Sequence, residues 1–218
     1  MQMPTRNEAF TRLELIFVIA ALVVLIMLLP LRRYPSPDMM NCVNNLKQIG
    51  TGFRLWANDN DGKMPMQLST KAGGTMEYTN AGQAYHHFFA ASDMITDPRI
   101  LVCPEDRKRV AAADFSSNPV FFNNSNVSYF INLKAGESFP NTILAGDRHL
   151  NVPPGNRDLF AILPGTRIGW TKELHAKWGA KGYVLMSDGS AQQFSSSQLQ
   201  AWLTRNTNEH LFHFPNIR

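Results

Sequence analysis

Near the start of the chain, residues 15–29 are all apolar, fifteen in a row with no polar side chain, and the run is preceded directly by Glu14. Fifteen residues of helix at about 1.5 Å each reach ~22 Å, short of the ~30 Å hydrocarbon core of a bilayer. Extending the segment to residues 10–31 gives 22 apolar-dominated positions. That length spans a bilayer, at the cost of enclosing Glu14. A carboxylate inside such a segment is expensive and marks function by default. The expectation is therefore one N-terminal transmembrane helix over 10–31 with Glu14 as its informative residue.

The rest of the composition sets bounds. Of 218 residues 44% are hydrophobic and only 17% charged, against the usual quarter. About 180 residues remain after the first 38, ample for one domain with its own core. The net charge of +4 comes without any long Lys/Arg run, so no nucleic-acid partner is expected. Cys42 and Cys103 lie far apart without a second pair, which excludes a zinc ribbon and a redox C-x-x-C. Whether the two close one disulfide stays open, because the sequence does not say how near their Cα atoms come.

The first nine residues are polar, and the apolar run ends in Pro30-Leu31-Arg32-Arg33-Tyr34, which offers no small-x-small site for a signal peptidase. Arginines flank the run on both sides (Arg6 and Arg12, then Arg32 and Arg33), so charge gives no orientation. Ala9-Phe10-Thr11-Arg12-Leu13-Glu14-Leu15-Ile16 ahead of an apolar helix resembles the type IV prepilin signature. The resemblance implies that a prepilin peptidase cuts between Ala9 and Phe10, that Phe10 becomes N-methylated, and that Glu14 is the fifth mature residue. In that family the glutamate meets the N-terminal ammonium of a neighbouring subunit, and breaking a buried pair of this kind costs ~3–5 kcal/mol. The chain departs from the pattern at Ala9, where the family has glycine, and at Arg12, where it has an apolar or hydroxyl residue.

Pro30, Pro35 and Pro37 break the helical pattern, so 32–38 reads as a junction, with Asp38 a candidate N-cap. Over 39–58, Met39, Cys42, Val43, Leu46, Ile49, Phe53, Trp56 and Ala57 recur at three and four, which predicts an amphipathic helix. Gly50 and Gly52 within it either admit a close backbone or weaken the helix. The segment from Cys42 to Gly50, with Trp56-Ala57-Asn58-Asp59-Asn60-Asp61-Gly62, also resembles a branch of prepilin-type proteins abundant in planctomycetes and verrucomicrobia. The cluster 58–62 fails as an EF-hand, since the first and twelfth loop positions would be Ala57 and Leu68. Helix termination accounts for it, and calcium is unsupported. His86 and His87 are adjacent and point to different faces, so they do not bind one metal together.

Residues 85–91 read as a short helix, 100–106 as a strand running into a turn, and 107–126 as a surface loop. Strands are expected over 127–133, 142–145 and 182–186, the last making an Asp188-Gly189 hairpin with 191–194. Ser196 and Ser197 are candidate caps for a closing helix with Leu199, Trp202 and Leu203. The same prepilin branch carries a histidine nine residues before an Asp-Gly. Here His175 stands further from Asp188 and Gly189, and Trp178 takes the nine-residue position. Asp147, His149, His175, Asp188, His210 and His213 are the groups from which an acid–base site would have to be built, but no catalytic fingerprint is present. The chain is therefore not expected to be an enzyme, nor to hold a metal or other cofactor.

Taken together, the expected fold is α+β and pilin-like, with a transmembrane helix followed by an amphipathic helix on an antiparallel sheet. The divisions are a leader over 1–9, the membrane and assembly helix over 10–31, the junction over 32–38 and a head over 39–218. The expected function is that of a minor pilin or pseudopilin, a structural subunit of a type IV pilus or of a type II protein secretion system. Its partners would be the membrane bilayer, other such subunits and the prepilin peptidase. It would sit in the inner (cytoplasmic) membrane by a single pass, with a periplasmic, extracytoplasmic head. The alternative is an anchored extracytoplasmic module that binds, for instance, glycans and does not assemble.

Overall fold

The computed structural model describes residues 11–28, 37–80, 83–152, 158–163, 165–175, 179–206 and 210–216. The chain divides into two units, Met1–Pro35 and Ser36–Arg218.

In the first unit, helix α1 (Arg12–Leu28) is 17 residues long and apolar on every side after its first turn. Seventeen residues give about 26 Å of helix, and the first turn is taken up by Arg12 and Glu14. Among the described residues no helix is long and apolar enough to cross a membrane. The expected pilin-like architecture built on a transmembrane helix over 10–31 is thereby corrected. The same finding overturns the expected location, a single pass through the inner membrane with a periplasmic head.

The second unit is α+β and begins with α2 (Pro37–Asn58). Proline suits a first helical position because its missing N–H would have no intrahelical acceptor there. Asp38 thus lies in the first turn and is not the cap. The apolar stripe is buried as its spacing requires: Met39, Cys42, Leu46, Ile49, Phe53, Trp56 and Ala57. At the C-terminal end, Asp61 and Gly62 take positive φ, and Gly62 N–H donates to the Ala57 carbonyl at 2.8 Å. The polar cluster after the helix therefore satisfies the last carbonyls of α2, as helix termination requires.

Short helices α3 (Tyr85–Ala90) and α4 (Ser92–Ile95) follow. The strand expected over 100–106 is a 3-10 turn, Pro98–Leu101, because Asp97 caps it through the Arg99 N–H and Pro98 fixes its first residue. Among the described residues six strands then form one antiparallel sheet: β1 (Tyr129–Asn132), β2 (Ile143–Asp147), β3 (Leu159–Ile162), β4 (Lys181–Met186), β5 (Ala191–Ser195) and β6 (His210–His213). Their order is β3-β6-β1-β2-β4-β5. Helix α5 (Ser196–Arg205) is capped by Ser195, whose side chain accepts from Gln198 N–H while Gln198 reaches back to Ser195 N–H. The cap is one residue before the expected serines.

Both faces of the sheet are covered. Tyr129, Ile131, Ala145, Tyr183 and Leu185 join the α2 stripe in one core. Phe130, Ile143, Val184, Met186 and Phe212 join Leu199 and Leu203 of α5 in another. The alternation along β1 and β4 follows from the two-residue period of a strand. An irregularity between Ile143 and Ala145 of β2 puts Leu144 and Ala145 on the same side.

Helix α2 approaches the β4–β5 hairpin closely at Gly50. A Cβ there would lie 2.6 Å from Leu185 Cδ1 and 3.4 Å from the Gly189 Cα, and at Gly52 one would lie 2.7 Å from Ile95 Cγ1. Close approach is thus the use of both glycines. Gly50→Val is expected to destabilise the second unit by about 2 kcal/mol, because overpacking against a buried leucine outweighs the loss of a flexible glycine. Urea unfolding of the variant beside the wild type measures this.

Candidate functional site

Ala9 and Phe10 lie outside the described residues. Glu14 does not. It sits on the first turn of α1, exposed, and its Oε2 accepts from the Thr11 N–H at 2.9 Å and the Thr11 hydroxyl at 3.0 Å. Glu14 N–H donates back to Thr11 Oγ1 at 3.3 Å. Thr11-Arg12-Leu13-Glu14 is a capping box, a Thr-x-x-Glu pattern legible in the sequence but missed there. These bonds from Thr11, backbone first, hold the carboxyl below its ordinary pKa. Within the described residues Glu14 therefore starts the helix.

The sequence-singled residues of the second unit separate into two places. Asp188 and Gly189 form the β4–β5 turn, Gly189 with φ of 86°, and Ser190 N–H donates to Asp188 Oδ1 at 2.8 Å. Arg54 of α2 donates to the Asp188 carbonyl at 3.1 Å. The Asp-Gly pair thus seats α2 on the hairpin. His175 turns elsewhere, and Trp178 lies outside the described residues.

His175, only 1% exposed, meets Asp147 at the end of β2, Nε2 to Oδ2 at 3.2 Å. The same Oδ2 accepts the Tyr183 N–H of β4 at 2.7 Å. Cys42 of α2 and Cys103 are joined as a disulfide, and both are fully buried. One ligand atom each of Cys42, Cys103 and His175 lie within 4.8 Å of one another. His149 stands edge-on to His175 with ring centroids 5.7 Å apart, and its Nε2–H donates to the Lys181 carbonyl at 3.1 Å. Among the described residues Asp147 Oδ1, His149 Nδ1 and His175 Nδ1 are buried without a hydrogen-bond partner.

Beside this cluster Arg148 makes two bonds to Asp106, at 2.7 and 2.8 Å, and one to Glu173 at 2.7 Å. The turn Cys103-Pro104-Glu105-Asp106, closed by Asp106 N–H to the Cys103 carbonyl, aims Asp106 at Arg148. Burial disfavours an imidazolium at His175, but Asp147, with Glu105 and Asp106 further off, outweighs it and raises the pKa. Burial lowers that of His149. Burial and the Asp147 charge push the Tyr183 phenol to about 12. His175 has a φ of 54°, a left-handed conformation costly for a residue with a Cβ. No local pattern announces this convergence of β2, β4, α2 and two loops.

Two of the four remaining histidines form a separate pair. His87 Nε2 and His213 Nδ1 share a hydrogen bond of 3.0 Å, and His87 Nδ1 lies 2.7 Å from Thr75 Oγ1. His86 instead stacks on Tyr78 with centroids 3.7 Å apart. His210 lies beside Asn132 and Trp202. His87 and His86 thus face different neighbours, as their adjacency requires.

Burial lowers His213 to about 4, and burial with the charge of His213 lowers His87 well below 6.5. Between about 4 and ~6.5 the unfolded chain binds more protons at His213, so its contribution is complete above ~6.5 and is lost as pH falls toward 4, and His87 acts in the same direction. His175 runs the other way, its contribution being complete below ~6.5 and lost as pH rises through its folded value. Acidification from pH 7 to 4 is expected to cost about 3 kcal/mol from His213 alone. Guanidinium unfolding across that range checks it, and His213→Asn is expected to flatten the slope.

No known family model, curated protein or solved structure matches the chain.

Proposed function

We propose that the chain is a structural subunit of a type IV pilin-like or type II pseudopilin-like filament, processed by a prepilin peptidase and assembled through α1. The observation that carries this reading is the exposure of α1. Leu13, Ile16, Phe17, Leu25, Ile26 and Met27 are each at least 59% exposed, and apolar residues occupy every face. A helix apolar all round belongs in a buried setting. Covering its dozen large side chains is worth on the order of 20 kcal/mol.

The occupant that fits is α1 of other copies. Such a bundle supplies apolar partners on all sides, and the sequence Ala9-Phe10 ahead of Thr11-x-x-Glu14 provides the charge pair to register them. An ammonium on Phe10 of one copy and the Glu14 carboxylate of the next neutralise each other once water is excluded. The capping box does not oppose this. Thr11 holds the carboxylate ionised at the first turn, and a carboxylate has acceptor sites beyond the two bonds it takes from Thr11.

The two roles of Glu14 are separable. Glutamine completes a capping box as glutamate does, but carries no charge. Glu14→Gln is therefore expected to leave α1 helical while weakening subunit association at least ~100-fold, the effect of removing one partner of a buried pair. The measurement is the chain's share of a sheared-filament fraction from cells, with N-terminal sequencing of the recovered protein. Sequence beginning at Phe10, and loss of the variant from the fraction, are expected. A Glu14→Gln chain that assembles like the wild type would reduce the glutamate to a cap and overturn the reading.

A further inference from the structure

We propose that reduction of the Cys42–Cys103 disulfide turns the buried cluster into a Cys2His site for a zinc-like divalent cation, with His175 as the nitrogen ligand. Three donors that zinc prefers are already gathered. One ligand atom from each lie within 4.8 Å of one another, and all three residues are buried. They come from three distant parts of the chain, so the sequence shows neither a C-x-x-C nor an H-x-x-x-H pattern.

The surroundings of His175 supply the second, independent observation. A metal-bound histidine gives one nitrogen to the cation and donates its other N–H to a carboxylate or carbonyl, which fixes tautomer and ring. Here Nε2 is held by Asp147 Oδ2 at 3.2 Å, while Nδ1 is buried without a hydrogen-bond partner among the described residues. Asp147 is itself oriented by the Tyr183 N–H at 2.7 Å. An imidazole kept with its proton on Nε2 presents a lone pair at Nδ1, and it does so from a left-handed backbone conformation that costs energy. In the disulfide form that lone pair faces nothing that uses it.

The S–S bond takes two electrons and two protons from a dithiol, which closes to its own disulfide. A divalent cation then displaces one proton from each thiol, and the Nδ1 proton wherever Asp147 holds His175 as its imidazolium, so that two thiolates cancel its charge and the neutral ring adds its lone pair. A second disulfide reverses the step: the two thiolates join again as the Cys42–Cys103 bond, the oxidant takes the two electrons with two protons from water to become a dithiol, and the cation is released. The disulfide and the metal are thus alternative cross-links between α2 and the 98–106 turn.

The test uses the full chain, reduced with a phosphine that becomes its oxide with oxygen from water. Cobalt(II) added to the reduced protein is expected to give thiolate-to-metal charge-transfer absorption at one equivalent, displaced by zinc. The oxidised protein is expected to give none. His175→Gln is expected to abolish the one-to-one complex, and Asp147→Asn to weaken zinc about 10–100-fold. Near-ultraviolet circular dichroism, recorded with zinc present, reports whether each reduced chain is folded. Three results would overturn the proposal: a reduced wild type that takes up no cobalt, one that stays unfolded with zinc present, or binding unchanged in His175→Gln.

Discussion

The burial of one stripe of α2 against the sheet is the contact on which the second unit depends. Met39, Leu46, Ile49, Phe53 and Trp56 fill the core that Tyr129, Ala145, Tyr183 and Leu185 open from the strands. A full side-chain burial is worth ~1.5–3 kcal/mol each, so this one helix face outweighs any single polar contact in the molecule. Two devices fix its position. Gly50 lets it close onto the hairpin, and the Cys42–Cys103 bridge, closing a separation of 61 residues, ties it to the turn before β1. A loop of that size removes enough freedom from the unfolded chain to be worth about 4 kcal/mol.

The polar interior is organised around that seam. Asp147 ends β2 where a carboxylate would be expensive without partners, and it is supplied with the Tyr183 amide and His175. Arg148, its neighbour, carries its guanidinium to Asp106 and Glu173. The alternating direction of side chains along β2 and just beyond it thus sends one carboxylate inward and the next residue's cation to a different acid. His87 and His213 resolve a similar problem by staying neutral and bonding each other.

What was legible in the sequence is what local spacing encodes. The apolar stripe of α2, the Asp188-Gly189 turn, the α5 helix and the positions of β1, β2 and β4 follow from periods of 3.6 and 2 and from turn residues. β3 and β6 were not legible. Leu159–Ile162 and His210–His213 are four-residue strands, and the latter brings two buried histidines where an apolar pattern would be sought. The strand expected at 100–106 failed because Asp97 and Pro98 start a turn. At the candidate sites the sequence named Glu14, Cys42, Cys103 and His175, yet it did not show that the last three meet. That meeting depends on a left-handed His175 and on pairing between β2 and β4, neither of which leaves a mark in residue spacing. The Thr11-to-Glu14 capping box is visible as a Thr-x-x-Glu pattern, in which the glutamate serves the helix start as well as carrying a charge.

The place of β6 in the sheet has a consequence for the order of events during synthesis. This strand lies between β3 and β1, second from one edge of the sheet, and pairs Phe212 with Asn132. β1 is made some eighty positions earlier, with β2, β4 and β5 following it. Until residue 213 has left the ribosome, β1 presents an open edge and β3 has no neighbour to join. Contacts so distant in the chain form slowly, and an unpaired edge beside a half-covered apolar face is where nascent chains pair with one another. The half-life of that incomplete sheet, and whatever shields it meanwhile, therefore sets how much of the protein reaches its native form.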